Sequence, residues 1–200
     1  MYLSLLHLNL GHRQVRKDVA NPYSMHQTLA RVLDGEPRFL WRLETGSGFD
    51  DYGLLVQTSG RPDWRALADR FPGYAEPAAG TPKPYEPSLH KGQLLRFRLY
   101  ANPTVSREGK RHGLYREEEQ LQWLATRLGA AGAEPRQVLV TRRGKLKIPK
   151  SGEVVVLAVA QFDGVLQVTD PSGLLAAVRS GIGHGKAFGL GLISMAPYRG

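Results

Sequence analysis

The segment Gly181-Ile-Gly-His-Gly-Lys-Ala-Phe-Gly-Leu-Gly-Leu-Ile-Ser-Met-Ala-Pro197 carries five of the 23 glycines of the chain within eleven residues. With so little Cβ surface, its backbone can approach another backbone or a ligand closely. His184 and Lys186 lie inside it without an acidic residue, and exposed N–H groups beside a cation suit an anion such as phosphate. A glycine-rich turn that lets a final strand over 190–195 pack against a sheet explains the same pattern.

Two familiar phosphate-binding motifs do not fit this segment. A Walker A loop requires glycine where Ser180 stands and Ser or Thr where Ala187 stands. No register places a G-x-G-x-x-G pattern at the start of a helix. The spacing therefore leaves an anion-binding loop and a plain structural turn as the two interpretations.

Composition narrows the class of protein. The 200 residues suffice for one large domain or two small ones, and an apolar content of 42% supports a substantial core. A net charge of +9 favours a polyanionic partner, with nucleic acid ahead of a membrane surface. The chain has no signal-peptide pattern and no apolar run of roughly 18 residues, so we expect a cytoplasmic protein that does not associate with membranes. Without Cys, and with its six His scattered, it is expected to hold no metal and no cofactor.

Strand and helix patterns alternate along the chain. In the first part, Asn21 followed by Pro22 predicts a helix start, because a capping side chain precedes a proline at the first helical position. The predicted order there is a strand over 2–10, a helix to 33, strands over 38–44 and 52–58, and a helix over 62–71. A proline-rich stretch then separates the two parts of the chain.

The second part repeats this order. Its predicted elements are a strand over 92–103, a helix over 117–128, a strand from 137, a hairpin turning at Asp163-Gly164 and a helix over 171–179. The predicted fold class is α+β, with two tandem ferredoxin-like (RRM-like) domains, each an antiparallel sheet with helices on one face. We place the first domain at 1–76, a linker at 77–90 and the second domain at 91–200.

A basic arm over 136–150 is the second candidate for contact with a polyanion. It contains six cations and no acid, and three of the cations alternate along a strand and so share a face. A solvated strand face, or an edge strand protected by lysines, explains isolated cations equally well. Six cations without an acid in a basic protein favour contact with phosphate.

One histidine stands out as a possible proton carrier. Tyr23 and His26 are three residues apart on the predicted helix, and therefore lie on one face, with Arg31 further along. Imidazole can give or take a proton near neutral pH, although an ordinary half-buried His fits the same position. No cluster of acids, no Cys and no G-x-S-x-G motif offers another chemistry, so any reaction on RNA is expected to proceed without metal.

Several motifs together resemble the Cascade-associated CRISPR repeat endoribonucleases of the CasE type, found in subtype I-E systems. The resemblance covers almost the whole chain, and one departure is Gln27, where a basic residue follows the family's histidine. The matching motifs are Asn21-Pro-Tyr-x-Met-His26, Phe39-Leu-Trp-Arg-Leu-Glu44, Leu55-Val-Gln57, Gly92-x-x-Leu-Arg-Phe-Arg-Leu-x-Ala-Asn-Pro103, Gly109-Lys-Arg111 and Gly181-x-Gly-x-Gly-Lys-Ala-x-Gly-Leu-Gly-Leu192.

The resemblance implies the activity and its residues. Such proteins bind the stem-loop of a CRISPR repeat and cut it at the 3′ base of the stem without metal, which matures the crRNA. The implied catalytic residues are His26 and Tyr23, with Arg31 and Lys186 stabilising charge. The implied RNA-binding residues are Arg111, Arg142, Arg143, Lys145, Lys147, Lys150, Gly183, His184, Gly185, Gly189 and Gly191.

The implied reaction is attack of a ribose 2′-OH on the adjacent phosphorus, which leaves a 2′,3′-cyclic phosphate and a 5′-OH. The expected partners are the repeat RNA and other Cascade subunits, and the protein alone is expected to be a monomer. Two alternatives stay open. One is a non-catalytic tandem RRM-like RNA-binding module, although an RNP1 signature is missing. The other is a structural protein that uses its charge only to neutralise RNA.

Overall fold

Two compact units make up the chain in a computed structural model that describes residues 1–36, 38–46, 52–150 and 153–198, with Lys150 as backbone only. The first unit comprises Met1–Glu86 together with Ile148–Glu153 and Ala187–Gly189. The second comprises Pro87–Lys147, Val154–Lys186 and Leu190–Gly200. The division between them falls within the proline-rich stretch.

The first unit is built on alternating apolar residues. Its elements are β1 (Tyr2–Leu8), α1 (Arg13–Ala20), α2 (Pro22–Val32), β2 (Phe39–Thr45), β3 (Tyr52–Thr58), α3 (Arg65–Arg70), β4 (Ala75–Pro77) and β5 (Lys83–Pro84). Its antiparallel sheet has the order β2-β3-β1-β4, with β5 also paired to β1. This is the strand order of a ferredoxin-like unit.

The core of the first unit lies on one face of this sheet. Leu6 on β1 and Leu54 on β3 pack in a single cluster with Met25 and Leu29 of α2 and Leu67 of α3. All five side chains are almost completely buried, which removes their apolar surface from water. The helices of this unit are therefore held to the sheet by the same face.

The second unit repeats the topology with an added hairpin. Its elements are β6 (Leu94–Ala101), β7 (Thr104–Arg107), β8 (Lys110–Gly113), α4 (Glu117–Ala130), β9 (Ala133–Lys150), β10 (Glu153–Val168), α5 (Pro171–Ser180), a 3-10 turn (Lys186–Phe188) and β11 (Ile193–Pro197). The main sheet has the order β11-β6-β10-β9, and β7 pairs with β8 alone. Trp123 of α4 stacks on Phe162 of β10, with ring centroids 6.2 Å apart. The prediction of an α+β fold with antiparallel sheets is confirmed.

The predicted hairpin at Asp163-Gly164 is wrong, because β10 runs through both residues without turning. A Cβ on Gly164 would lie 2.0 Å from the carbonyl oxygen of Gln137 on the neighbouring strand β9. The glycine is therefore required for a close approach between two strands, and the Asp-Gly pair only imitates a turn signal. Asp163 instead accepts hydrogen bonds from Arg98 and Thr141.

Five further elements differ from the sequence-based expectation. Helix α1 was missed, because only Val15 and Asp18 of its eight residues are buried and no apolar stripe marks it. The segment between the predicted strand over 92–103 and the predicted helix over 117–128, to which the sequence assigned no strand, forms the β7–β8 hairpin. Two short strands, β4 and β5, reach into the expected linker and pair with β1. Among the described helices, none combines the length and apolar composition needed to cross a bilayer.

The close approach at Gly164 yields a stability prediction. Gly164→Ala should lower the free energy of unfolding by about 3 kcal/mol, since the new methyl group forces β9 and β10 apart. Gly144→Ala is the matched control, because Gly144 lies on the same strand pair and no atom of the described residues stands within 4 Å of its added Cβ. That control should stay within about 0.5 kcal/mol of the parent. Urea denaturation measures both, and equal stabilities would remove the close approach as the reason for Gly164.

Candidate functional site

The first candidate surface is the beginning of helix α2. Asn21 caps the helix by accepting a hydrogen bond from the Tyr23 N–H at 3.0 Å, and Pro22 occupies the first turn, as predicted. The Asn21 side-chain amide also donates to the Pro149 carbonyl at 3.4 Å. The end of β9 thus lies beside the start of α2 within the first unit.

His26 follows one turn later and is half-buried. Its imidazole stacks on the Phe39 ring, with centroids 4.9 Å apart and an interplanar angle of 28°. The Nδ1 atom is enclosed and has no hydrogen-bond partner in the described part of the chain. Burial lowers the pKa of His26 below its usual value, so the imidazole is neutral near pH 7.

The other residues predicted on this helix have different positions. Tyr23 is partly buried and, three residues before His26, lies on the same helical face. Arg31 is exposed and five residues after His26, so it lies roughly 140° around the helix from it. The helix geometry does not bring Arg31 to the Tyr23–His26 face, and its role in stabilising charge stays a prediction.

The buried carboxylate of Asp18 holds the first turn of α2 in place through a hydrogen bond from Ser24. Asp18 on α1 is 1% exposed and accepts hydrogen bonds from the Ser24 hydroxyl at 2.6 Å, the Gln14 amide at 2.9 Å and the Tyr74 hydroxyl at 2.8 Å. Burial and the adjacent carboxylate raise the pKa of Tyr74, which keeps its hydroxyl protonated as a donor. This network ties α1, the start of α2 and the loop after α3 into one arrangement.

The basic arm is the exposed part of β9. Arg142 lies over the Tyr100 ring at 5.6 Å, and Lys145 lies over the Tyr115 ring at 5.3 Å. A cation over an aromatic face is attracted by the ring and restricted in its motion, yet keeps its N–H groups available. Lys147 is exposed on the same strand, and the side chain of Lys150 lies outside the described part of the structure.

The expectation that the cations of the arm have no acidic partner is wrong for Arg143, which pairs with Glu117. Its carboxylate lies 3.2 Å from the Arg143 guanidinium, from the first turn of α4. Both side chains are about half exposed, so the pair is weak. Arg136 likewise has Glu134 at 3.2 Å. The sequence could not predict Glu117 or the two tyrosines as partners of the arm, because these residues are distant from the arm along the chain.

The glycine-rich segment is explained largely by packing. Gly189 has a φ of +76°, and a Cβ there would lie 2.7 Å from the Trp41 ring. Gly191 has a φ of +90°, and its Cβ would lie 2.7 Å from the Ile182 carbonyl oxygen. These glycines satisfy the structural interpretation of the segment, and contact of Gly183, Gly185, Gly189 or Gly191 with RNA stays a prediction.

His184 marks a positive region of the second unit. Its backbone bridges to Asn102, and its side chain is exposed. Burial lowers the pKa of His184, and the cations Arg111, Arg127 and Lys186 lower it further. Of these, Arg111 was predicted to contact RNA and Lys186 to stabilise charge, whereas Arg127 was not predicted; both roles stay predictions. No group of acids, His and Cys that could hold a metal ion occurs among the described residues.

Comparison with known proteins places these features in context. A family model described as CRISPR associated protein matches residues 1–197. The CRISPR-associated endoribonuclease Cse3 of Thermus thermophilus is 39% identical over 98% of this chain and 100% of its own length. The CRISPR system Cascade subunit CasE of Escherichia coli is 29% identical over 88% of this chain and 92% of its own. A solved structure of the endoribonuclease Cse3 bound to a 19-nucleotide RNA matches with a TM-score of 0.90 and 39% identity, over 98% of this chain and 100% of that chain.

The Asp18 network yields a graded prediction. Asp18→Ala should lower the free energy of unfolding by about 3 kcal/mol, because two buried hydroxyl donors and one partly buried amide donor lose their acceptor. Tyr74→Phe removes one of those donors and should cost about 1–2 kcal/mol. Asp34→Ala, at an exposed carboxylate beyond the end of α2, is the control and should change little. The measurement is chemical denaturation, and an Asp18 variant as stable as the control would contradict the network.

Proposed function

Because the chain belongs to the family of CRISPR-associated proteins, we propose that it is a metal-independent endoribonuclease that matures crRNA. It binds the stem-loop of a CRISPR repeat and cuts the RNA at the 3′ base of the stem. The resemblance found in the sequence motifs is confirmed by the family match over residues 1–197. Support for the activity comes from a relative named as an endoribonuclease and from the RNA-bound structure of an endoribonuclease of the same name.

The observation that carries the proposal is the half-buried His26, stacked on Phe39 one turn after a capped helix start. Its lowered pKa keeps it neutral near pH 7, and neutral imidazole can accept a proton from a hydroxyl group. Such a proton transfer contributes about 10²–10⁴-fold to a rate. Tyr23 lies on the same face and adds a hydroxyl that can orient or donate.

RNA supplies the nucleophile in this mechanism. The 2′-OH attacks the adjacent phosphorus in line, the P–O5′ bond breaks, and a proton passes from the 2′-OH to the leaving 5′-oxygen through protein groups. The products are a 2′,3′-cyclic phosphate and a 5′-OH. A cation offsets the extra charge on phosphorus in the transition state.

Recognition rests on the shape and phosphates of the stem. Paired RNA hides its base edges in a narrow major groove, so exposed cations contribute most of the attraction. We assign this role to the arm residues Arg142, Lys145 and Lys147. The relative from Escherichia coli is named as a Cascade subunit, and we propose that this chain also assembles with Cascade proteins. A cytoplasmic location and a monomeric state when alone stay predictions.

The decisive test uses one hairpin with and without the proposed nucleophile. A repeat RNA hairpin incubated with the protein in EDTA should be cut once, whereas the same hairpin with a 2′-deoxy sugar 5′ of the cut should stay intact. Both should bind alike, since the substitution removes at most a hydrogen bond or two. His26→Gln should bind the unmodified hairpin and fail to cut it. Cleavage of the deoxy hairpin would overturn 2′-OH attack, and binding without any cleavage would favour an RNA-binding module.

The arm makes a separate prediction about salt. Neutralising its three cations, Arg142, Lys145 and Lys147, should weaken binding and flatten the slope of log K against log salt. The slope should decrease by roughly 0.7–0.9 for each RNA phosphate that the variant no longer neutralises. A control with the same change in net charge neutralises three exposed cations of the first unit, Arg61, Arg70 and Lys83. Titration at several salt concentrations measures both, and identical slopes would show that the arm does not contact phosphate.

A further inference from the structure

Phe39 is the side chain that holds the His26 ring. It is the first residue of β2, and its backbone pairs with Thr58 of β3. Its side chain is partly buried and packs against the core cluster of the first unit. The ring is therefore fixed by the sheet and the core, and presents one face to the imidazole at 4.9 Å and 28°.

Stacking on Phe39 orients the His26 ring, a role that a hydrogen bond to one ring nitrogen has in many other proteins. Histidines that move protons are commonly oriented by a carboxylate or carbonyl that accepts from one ring nitrogen. Here Nδ1 is enclosed without a partner among the described residues. The imidazole is only half-buried, so Nε2 is the nitrogen that a ligand can reach. An aromatic face at this distance selects the ring plane, and with it the direction of Nε2.

Among the described residues, the surroundings of His26 offer no electrostatic explanation for the orientation of its ring. Burial lowers its pKa, and no charged side chain in the described part of the chain contributes to that shift. The titratable group on the same face of α2 is Tyr23, and the element that packs against the imidazole is β2 through Phe39. The contact that orients the His26 ring is therefore its apolar stack on Phe39.

We propose that Phe39 is a positioning residue for the cleavage reaction, whose ring holds His26 with Nε2 directed outward to exchange a proton with RNA. The inference rests on the proposed endoribonuclease activity. It adds to that activity the atom of His26 that carries the proton and the side chain that aims it. Phe39 touches neither of the reacting atoms and acts through His26.

Three variants separate positioning from general packing. Phe39→Leu keeps an apolar side chain but removes the ring face, and Phe39→Tyr keeps the face. Phe71→Leu is the matched control, because Phe71 is also partly buried against the same cluster but lies against Tyr74, with ring centroids 5.9 Å apart. Each variant is assayed with the repeat hairpin under single-turnover conditions at saturating enzyme, and its affinity is measured with the 2′-deoxy hairpin.

Phe39→Leu should slow cleavage roughly tenfold or more, because a small misplacement of a catalytic group has effects of that size. Its affinity for the 2′-deoxy hairpin should stay within about twofold, as His26 adds little to phosphate attraction. Phe39→Tyr and Phe71→Leu should cut within a few fold of the parent. A Phe39→Leu protein that cuts at the parental rate, or a Phe71→Leu protein impaired equally, would overturn the proposal.

A measurement without RNA keeps this inference distinct from the proposed function. NMR titration of the His26 imidazole in the free protein should show its pKa moving up toward the usual value in Phe39→Leu, since water gains access to the ring. The pKa should stay in place in Phe71→Leu. If the parent protein cuts no hairpin, the proposed function falls, and this titration alone decides whether Phe39 governs His26. An unchanged titration in Phe39→Leu would refute that control.

Discussion

The first unit depends on one buried carboxylate, that of Asp18, whose described hydrogen-bond partners are all neutral donors. Removing Asp18 from water is costly, and the cost is offset only because hydroxyl and amide groups from three segments converge on its two oxygens. Such convergence admits few alternative arrangements. Helix α1 cannot rotate, and α2 cannot slide along it, without leaving a donor or the carboxylate unsatisfied. The first turn of α2, which contains Tyr23 and precedes His26, is therefore held in one position.

The two units use different means to present chemistry. In the first, a satisfied polar network and an apolar stack hold a single titratable ring with little freedom. In the second, cations are spread over one long strand, and two of them, Arg142 and Lys145, lie over the rings of Tyr100 and Tyr115. A reaction requires geometry within fractions of an ångström, whereas attraction to a phosphate backbone requires only charge in approximately the right place. Accordingly, the proposed catalytic histidine is tightly held, whereas the cations proposed to bind phosphate are spread along an exposed strand.

Much of the fold could be predicted because its signals are local. Asn21 before Pro22 marks a helix start by capping chemistry, and alternating Leu95, Phe97 and Leu99 mark a strand with one buried face. What escaped prediction depends on distant contacts. Gly164 is a glycine because of the Gln137 carbonyl, Phe39 matters because of a ring on another element, and Asp18 needs Tyr74, which is 56 residues away. Charge alone could not reveal that Arg143 faces Glu117.

The positive φ angles of the glycine-rich segment have a consequence for mutational scanning. Substitutions at Gly189 and Gly191 collide with Trp41 and with the Ile182 backbone in a conformation that other residues avoid. They will therefore score as damaging in any survey of variants, with the same severity as loss of a catalytic group. Intolerance to substitution at these glycines reports on the packing of the chain, so ligand contacts in this segment are better sought at the side chains of His184 and Lys186.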